Sequence, residues 1–257
     1  MVGMSAKPDF FHSVWTRPPR ARGGQPSLSR EQIVRAAIEL LDAEGTAGLS
    51  MRRLGTRLDA GATSLYWHVA NKEELLELAV DEVLGEIYVP EAGDAPWRVS
   101  VSTFANGMRA TLLRHPWVIA LLGTKPTLGP NAMRLGDRLI ALLTDAGFTG
   151  WAMSHVSALV HGHAIGSATT QAAATSALRR ADLPVSEYFR DLEPYLERVS
   201  ADHPHYDQWR RKNSMDGVNP VQIWDEGFAF GLERILDGLD HWLATAKRLD
   251  SAPGVDV

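Results

Sequence analysis

From residue 28 to residue 89 apolar positions recur every three or four residues in four short blocks, each opened by a residue suited to cap a helix. Ser29-Arg-Glu-Gln32 is a capping box, with Leu28 and Ile33 placed as a hydrophobic staple across it. Ile33, Ala36, Ala37, Leu40 and Leu41 continue at helical spacing, and Gly45 stands where a left-handed residue ends a helix. Ser50 caps a second helix, Met51 to about Asp59, with Leu54 and Leu58 inward and Arg52, Arg53 and Arg57 outward. Asp59-Ala60-Gly61 then predicts a tight glycine turn into a helix of barely two turns. Its Leu65 and Val69 face one way, while Thr63, Ser64, Tyr66, Trp67 and His68 face the other. Asn71-Lys-Glu-Glu74 is another capping box, for a helix running to about Val89 with Leu75, Leu76, Ala79, Val83 and Ile87 inward, stopped by Pro90.

Every later periodic segment also reads as helix. Predicted spans run from Pro96 to His115, from Pro116 to Leu122, over about 131–146, and from Gly150 to about Leu178. Residues 182–219, interrupted by Pro184, Pro194 and Pro204, predict one or two short helices and a mobile loop. A last helix near 221–247 carries Phe228, Gly231, Leu232, Ile235, Leu239 and Trp242 along one stripe. The fold class is all-α. The expected organisation is a flexible basic arm (1–27), a three-helix helix-turn-helix head (28–90), a helical ligand-binding and dimerisation body (91–250) and a tail (251–257). Two short helices joined by a turn, the second with hydroxyls and aromatics outward, are an arrangement that enters a DNA major groove.

Charge supports that reading once it is divided. The net −5 splits into ten Lys/Arg against six Asp/Glu in residues 1–72, a net +4, and 16 against 25 in residues 73–257, a net −9. A basic front on an acidic rear fits a nucleic-acid-binding module on a body that does not bind it. With no cysteine, disulfides, thiolate metal sites and cysteine nucleophiles are excluded. No apolar run approaches a membrane span, the first 16 residues lack a signal-peptide layout, and a cytoplasmic location is expected.

The candidate chemistry is correspondingly sparse. Arg17, Arg20 and Arg22, ahead of the first helix, either reach a minor groove or phosphates or form a solvated tail. Ser50 and Arg52 are further candidate contacts to the DNA backbone. In the body, Trp97, Phe104, Met108, Trp117, Met133, Trp151 and Met153 are candidate walls of an apolar pocket, with ordinary core as the alternative for each. Leu121, Thr124, His155, Leu159 and His163 complete the candidate pocket. His161 and His163 lie about 200° apart on a helix and cannot chelate one ion, so no metal and no cofactor is expected. Gly162 and Gly166, with Gly227, Gly231 and Gly238, permit close helix approach; Phe228, Leu232, Ile235 and Leu239 are the expected seam of a four-helix dimer bundle, the alternative being the same packing inside one protomer.

The chain resembles the tetracycline-repressor (TetR) family. The resemblance is carried by residues 29–37, Glu44-Gly45, Leu49 to Leu54 and Leu65 to Leu76, and less specifically by 112–116, 122–127 and 228–239. It implies an Ω-shaped homodimer in which a ligand in the body spreads two DNA-binding heads. It places base-reading positions on Ala62, Thr63, Ser64, Tyr66 and Trp67 and phosphate clamps on His68 and Lys72. Gly61 departs from the Ser or acidic cap of many relatives, and Leu121 stands where tetracycline binders have a histidine. The expected partners are double-stranded operator DNA, a small-molecule effector and a second copy of the chain, with no membrane. The expected function is a transcriptional regulator, a repressor released from a palindromic operator by a small, largely apolar molecule. The alternative is an enzyme or storage protein in the helical body with a non-functional head; no nucleophile–base pair or phosphate loop supports it.

Overall fold

A computed structural model describes residues 13–16, 28–124, 127–182, 185–213 and 219–250. Among these residues there is no β-strand, and no helix is long and apolar enough to cross a membrane. The helices are α1 (Arg30–Gly48), α2 (Met51–Arg57), α3 (Ala62–His68), α4 (Lys72–Leu84), α5 (Trp97–Arg114), α6 (Pro116–Ile119), α7 (Pro130–Ala146), α8 (Trp151–Ala181), α9 (Val185–Ser200), α10 (Pro204–Lys212) and α11 (Pro220–Asp250). Their packing divides the chain into two compact units, 1–145 and 146–257.

In the first unit the helix starts follow the local chemistry. Ser29 Oγ accepts from the Gln32 backbone N–H at 3.2 Å, and Gln32 Oε1 accepts from the Ser29 N–H at 2.7 Å. At α4 the box is looser. Asn71 Oδ1 accepts from Glu74 N–H, but Glu74 reaches past the cap to the N–H of Ala70. Gly45 breaks α1 with φ 68° and ψ −172°, a conformation open essentially to glycine alone. The turn before α3 falls at Asp59–Gly61, where the spacing puts it. Asp59 takes the left-handed conformation, at φ 49°, which aspartate tolerates better than most residues, while Gly61 is ordinary extended backbone at φ −63°. Leu65 and Val69 of α3 are fully buried in the core that includes Ile33, Ala37, Leu54, Leu75 and Ala79.

One buried carboxylate fixes α4 to α7. Asp81 accepts from the N–H groups of Asn131 (3.2 Å) and Ala132 (2.9 Å), capping the first turn of α7 from another helix. Gly129 makes this possible, since a β-carbon there would overlap the Asp81 carboxylate. Gly129→Ala is therefore expected to cost about 1–3 kcal/mol by displacing that acceptor. Urea denaturation measures it, and a change below about 0.5 kcal/mol would contradict the account.

Within the arm, expected to be mostly disordered, one short stretch docks. Ser13 is buried, its hydroxyl donates to Glu77 Oε2 of α4 at 2.7 Å, and the Val14 N–H donates to the same oxygen at 3.0 Å. Val14–Thr16 forms a single 3-10 turn. Arg17, Arg20 and Arg22 lie outside the described residues.

In the second unit α8 and α11 form a long helical pair. Val156, Val160, Ala164 and Ala168 of α8 are buried, as are Phe228, Leu232, Leu236, Leu239 and Leu243 of α11. This corrects the expected seam. Phe228, Leu232 and Leu239 are already covered within one chain, and Ile235 is half-buried. The His163 ring stacks on Phe228 with centroids 4.9 Å apart, and its Nε2 donates to the Phe228 carbonyl at 2.9 Å. Gly231 provides the space, since a β-carbon there would collide with the imidazole. Phe148 and Trp242 stack at 5.7 Å. The region expected to hold short helices contains the 16-residue α9, which continues through Pro194 despite the missing donor. Arg210 of α10 pairs with Glu193 of α9 and with Asp207, joining the two helices.

Candidate nucleic-acid interface and effector cavities

α3 is held from below and open above. With Leu65 and Val69 at zero exposure, the side chains of Thr63, Ser64, Tyr66 and Trp67 are turned to solvent, Trp67 being 78% and Tyr66 47% exposed. Thr63 and Ser64 do not cap the helix. The N-cap is Gly61, which makes no side-chain bond. Their hydroxyls have no hydrogen-bond partner among the described residues, so both are available to base edges or phosphates. Ala62 starts α3, but its side chain lies outside the described residues.

The flanking cations have divided roles. Lys72 Nζ donates to the Thr46 carbonyl at 2.7 Å, so the proposed clamp is braced against the end of α1. His68 is half-buried, and its carbonyl lies 3.5 Å from Arg30 Nη2. Arg30 therefore stands beside the end of the recognition helix, a position masked in the sequence by its place inside the capping box. Arg53 binds the Glu44 carboxylate with both terminal nitrogens and the Gly48 carbonyl at 2.9 Å. That hydrogen bond holds the Glu44 carboxyl below the usual carboxylate range. Arg57 pairs with Glu39 at 2.5 Å. Of the three arginines on α2, Arg52 alone has no partner for its guanidinium among the described residues. Ser50 Oγ is spent on the Arg53 N–H as the α2 cap.

Behind the head, the junction of α5 and α6 meets α1 at one carboxylate. Asp42 Oδ1 of α1 accepts from Trp117 Nε1 of α6 and from His115 Nδ1, both at 2.7 Å. His115 Nε2 faces Glu86 at 3.3 Å, and Arg114, at the end of α5, reaches the same Glu86 oxygen at 2.5 Å. His115 and Trp117 are almost wholly buried. The head is thus joined to the α5–α6 junction through two buried donors and a carboxylate at the surface.

The candidate pocket residues separate. Phe104, Met108 and Trp117 are core, and Met133 is exposed on α7. Leu121 and Thr124 do line a cavity, of about 460 Å³ with its open mouth, together with Trp15, Leu76 and Val80. A second and more polar groove, about 680 Å³, runs between residues 84–89 and Asn131, Arg134, Leu135 and Arg138. There Arg138 donates to the Val89 carbonyl at 3.1 Å. In the second unit Trp151, His155 and Leu159 are exposed, and His163 is engaged by Phe228. Burial lowers the pKa of His161, whose Nδ1 donates to the Ser157 carbonyl at 2.8 Å.

Residues 33–79 match the family model described as bacterial regulatory proteins, tetR family, and residues 89–243 match the tetracyclin repressor-like, C-terminal domain. The chain is similar to an HTH-type transcriptional repressor, DrrR1, of Streptomyces coeruleorubidus, at 36% identity over 234 residues, 91% of this chain and 84% of that one. An HTH-type transcriptional regulator of Saccharopolyspora erythraea is 42% identical over 159 residues, 62% of this chain and 67% of the relative. Among solved structures, ActR of Streptomyces coelicolor in complex with actinorhodin has a TM-score of 0.68 and 29% identity, covering 85% of this chain and 99% of that one.

Proposed function

Because the chain belongs to the tetR family of bacterial regulatory proteins, we propose that it is a repressor that works in the cytoplasm as a homodimer and leaves a palindromic operator when a small molecule binds. One observation carries the DNA reading. A two-turn helix is locked into the core by Leu65 and Val69 and shows unpartnered Thr63 and Ser64 hydroxyls and an exposed Trp67 to water. We assign Thr63, Ser64, Tyr66, Trp67 and Ala62 to bases and groove walls, and Arg52, Arg30, His68 and Lys72 to phosphates. Ser50 serves this surface as a helix cap.

Four glycines support the dimer. Gly162 and Gly166 on α8, and Gly227 and Gly238 on α11, face open space within the chain, so nothing inside the protomer requires them. Exposed glycines on two long helices let a second pair approach closely. The seam between protomers is accordingly assigned to this outward side, and the Phe228–Leu239 stripe to the inside of each protomer. The effector is assigned to the helical body, and the Asp42 cluster is the mechanical link by which a shift of α5 or α6 reaches the head. The enzyme reading gains nothing, since His161 and His163 are engaged by carbonyls of their own unit.

A gel-shift titration on the region upstream of the protein's own gene tests the proposal. Affinity for one duplex is expected to stand well above that for scrambled sequence and to fall steeply with salt, by about 0.9 logarithmic unit per phosphate contact per decade. Equal, weak affinity for every duplex would refute it.

A further inference from the structure

The helical head is close to neutral. Residues 28–72 hold six Lys/Arg against five Asp/Glu, a net +1, and the remaining +3 of the basic front lies in residues 1–27. The balance is struck side chain by side chain. Arg53 of α2 gives both terminal nitrogens to the Glu44 carboxylate and Nη1 also to the Gly48 carbonyl. Arg57 gives Nη2 to Glu39 at 2.5 Å. Both carboxylates come from α1, and both arginines keep nearly half of their side-chain surface in water, 46% and 48%. Arg52, the residue before Arg53, has no such counter-ion among the described residues. α2 is the first helix of the helix-turn-helix, the one that crosses the phosphate backbone in this arrangement. Arginines placed there serve affinity for any duplex, since phosphates carry no sequence information. Exposed ion pairs add little to stability, and Ile33, Ala37 and Leu54 already join α1 to α2 at zero exposure, so stapling the helices does not account for the two pairs.

We propose that Glu44 and Glu39 are specificity residues, which withhold Arg53 and Arg57 from DNA phosphates and so keep affinity for arbitrary duplex low, leaving Arg52 as the arginine of α2 that meets the backbone. The inference rests on the operator reading. An arginine that swung to a phosphate would abandon its carboxylate, and the bare carboxylate would then face the phosphate as a like charge. Arg53 is held the more firmly, by a fork of two nitrogens on one carboxylate. That same hydrogen bonding keeps the Glu44 carboxyl below the usual carboxylate range, so it carries its full charge at neutral pH. Base contacts from α3 involve neither pair, so sequence reading is untouched while the indiscriminate share of the binding is held down.

The test compares the full chain with Glu44→Gln, Glu39→Gln, Arg53→Ala and the double variant Glu44→Gln/Arg53→Ala, by salt titration on operator and scrambled duplexes. Glu44→Gln is expected to tighten the scrambled duplex about threefold or more at about 0.1 M salt, and to lower the ratio of specific to non-specific affinity. The slope of log affinity against log salt should steepen by about 0.9 for each arginine released, or about 1.8 for two heads. Arg53→Ala alone should leave the parent slope as it is, and in its background Glu44→Gln should gain nothing. Glu39→Gln is expected to act in the same sense through Arg57, and it decides the matter if thermal unfolding shows that Glu44→Gln does not fold. An unchanged slope in the folded Gln variants overturns the proposal. So does an equal gain with and without Arg53, which marks a long-range effect of charge. A parent that prefers no duplex over another refutes the operator reading instead, whatever the slopes.

Discussion

Replacing Ser64 and Trp67 together by alanine is expected to abolish specific operator binding while leaving a folded protein of unchanged stability. Both side chains project from the solvent side of α3, so their loss opens no cavity and breaks no recorded bond within the chain. Each base contact contributes about 1–3 kcal/mol of discrimination. Two contacts per head, repeated in two half-sites, amount to at least about 4 kcal/mol, or roughly a thousandfold in affinity. The residual binding should match that of scrambled DNA and retain its salt dependence, because Arg30, Arg52 and Lys72 are untouched. Specific affinity within tenfold of the parent would remove α3 from the role assigned to it. Leu65→Ala is the contrasting change. It leaves the outward face intact but hollows the core beneath it, so DNA binding should fail through unfolding, at about 2–5 kcal/mol.

The second large effect is expected at Asp42. Asp42→Ala strips two buried donors, Trp117 Nε1 and His115 Nδ1, of their common acceptor. Each unsatisfied group costs about 1–3 kcal/mol, so a loss of about 2–4 kcal/mol in urea denaturation is expected. Asp42→Asn keeps one carbonyl acceptor and should lose less. A functional signature goes with the energetic one. If α6 reaches the head through this carboxylate, the Asn variant should still bind operator but respond more weakly to any effector that releases the parent. A stability change under about 1 kcal/mol in the alanine variant would show that the cluster is not a joint.

What the sequence disclosed was what is local. The Ser29–Gln32 box, the break at Gly45 and the two-faced pattern of α3 all rest on residues within one or two turns of each other. They are found where the spacing puts them. The turn before α3 lies at Asp59–Gly61 as the spacing predicts, but which residue takes the left-handed conformation was not legible; it is Asp59, with Gly61 extended. Long-range choices were not visible. Ser13 finds its acceptor 64 residues away at Glu77, and no periodicity in the arm signals it. Spacing puts Arg53 and Arg57 on the same polar side as Arg52, and nothing local shows that Glu44 and Glu39 of α1 engage them. The α11 stripe announced a helix seam but not whose. An apolar stripe is the same whether its cover is α8 of the same chain or a helix of another. The glycines divide on that point, Gly231 making room for His163 and Gly162, Gly166, Gly227 and Gly238 facing open space.

Trp67 has a spectroscopic consequence. Of eight tryptophans, it and Trp151, 81% exposed, are the most open to water among the described residues, whereas Trp117 is sealed in the Asp42 cluster. A solvated indole emits toward the red, and one pressed into a groove loses that hydration. Trp67 lies on the DNA-facing helix and Trp151 on α8 in the other unit, so one emission should move on operator binding and the other stay as an internal standard. The protein then carries its own unlabelled optical gauge of DNA occupancy, readable in the presence of an effector, at the position that gives α3 its largest exposed surface.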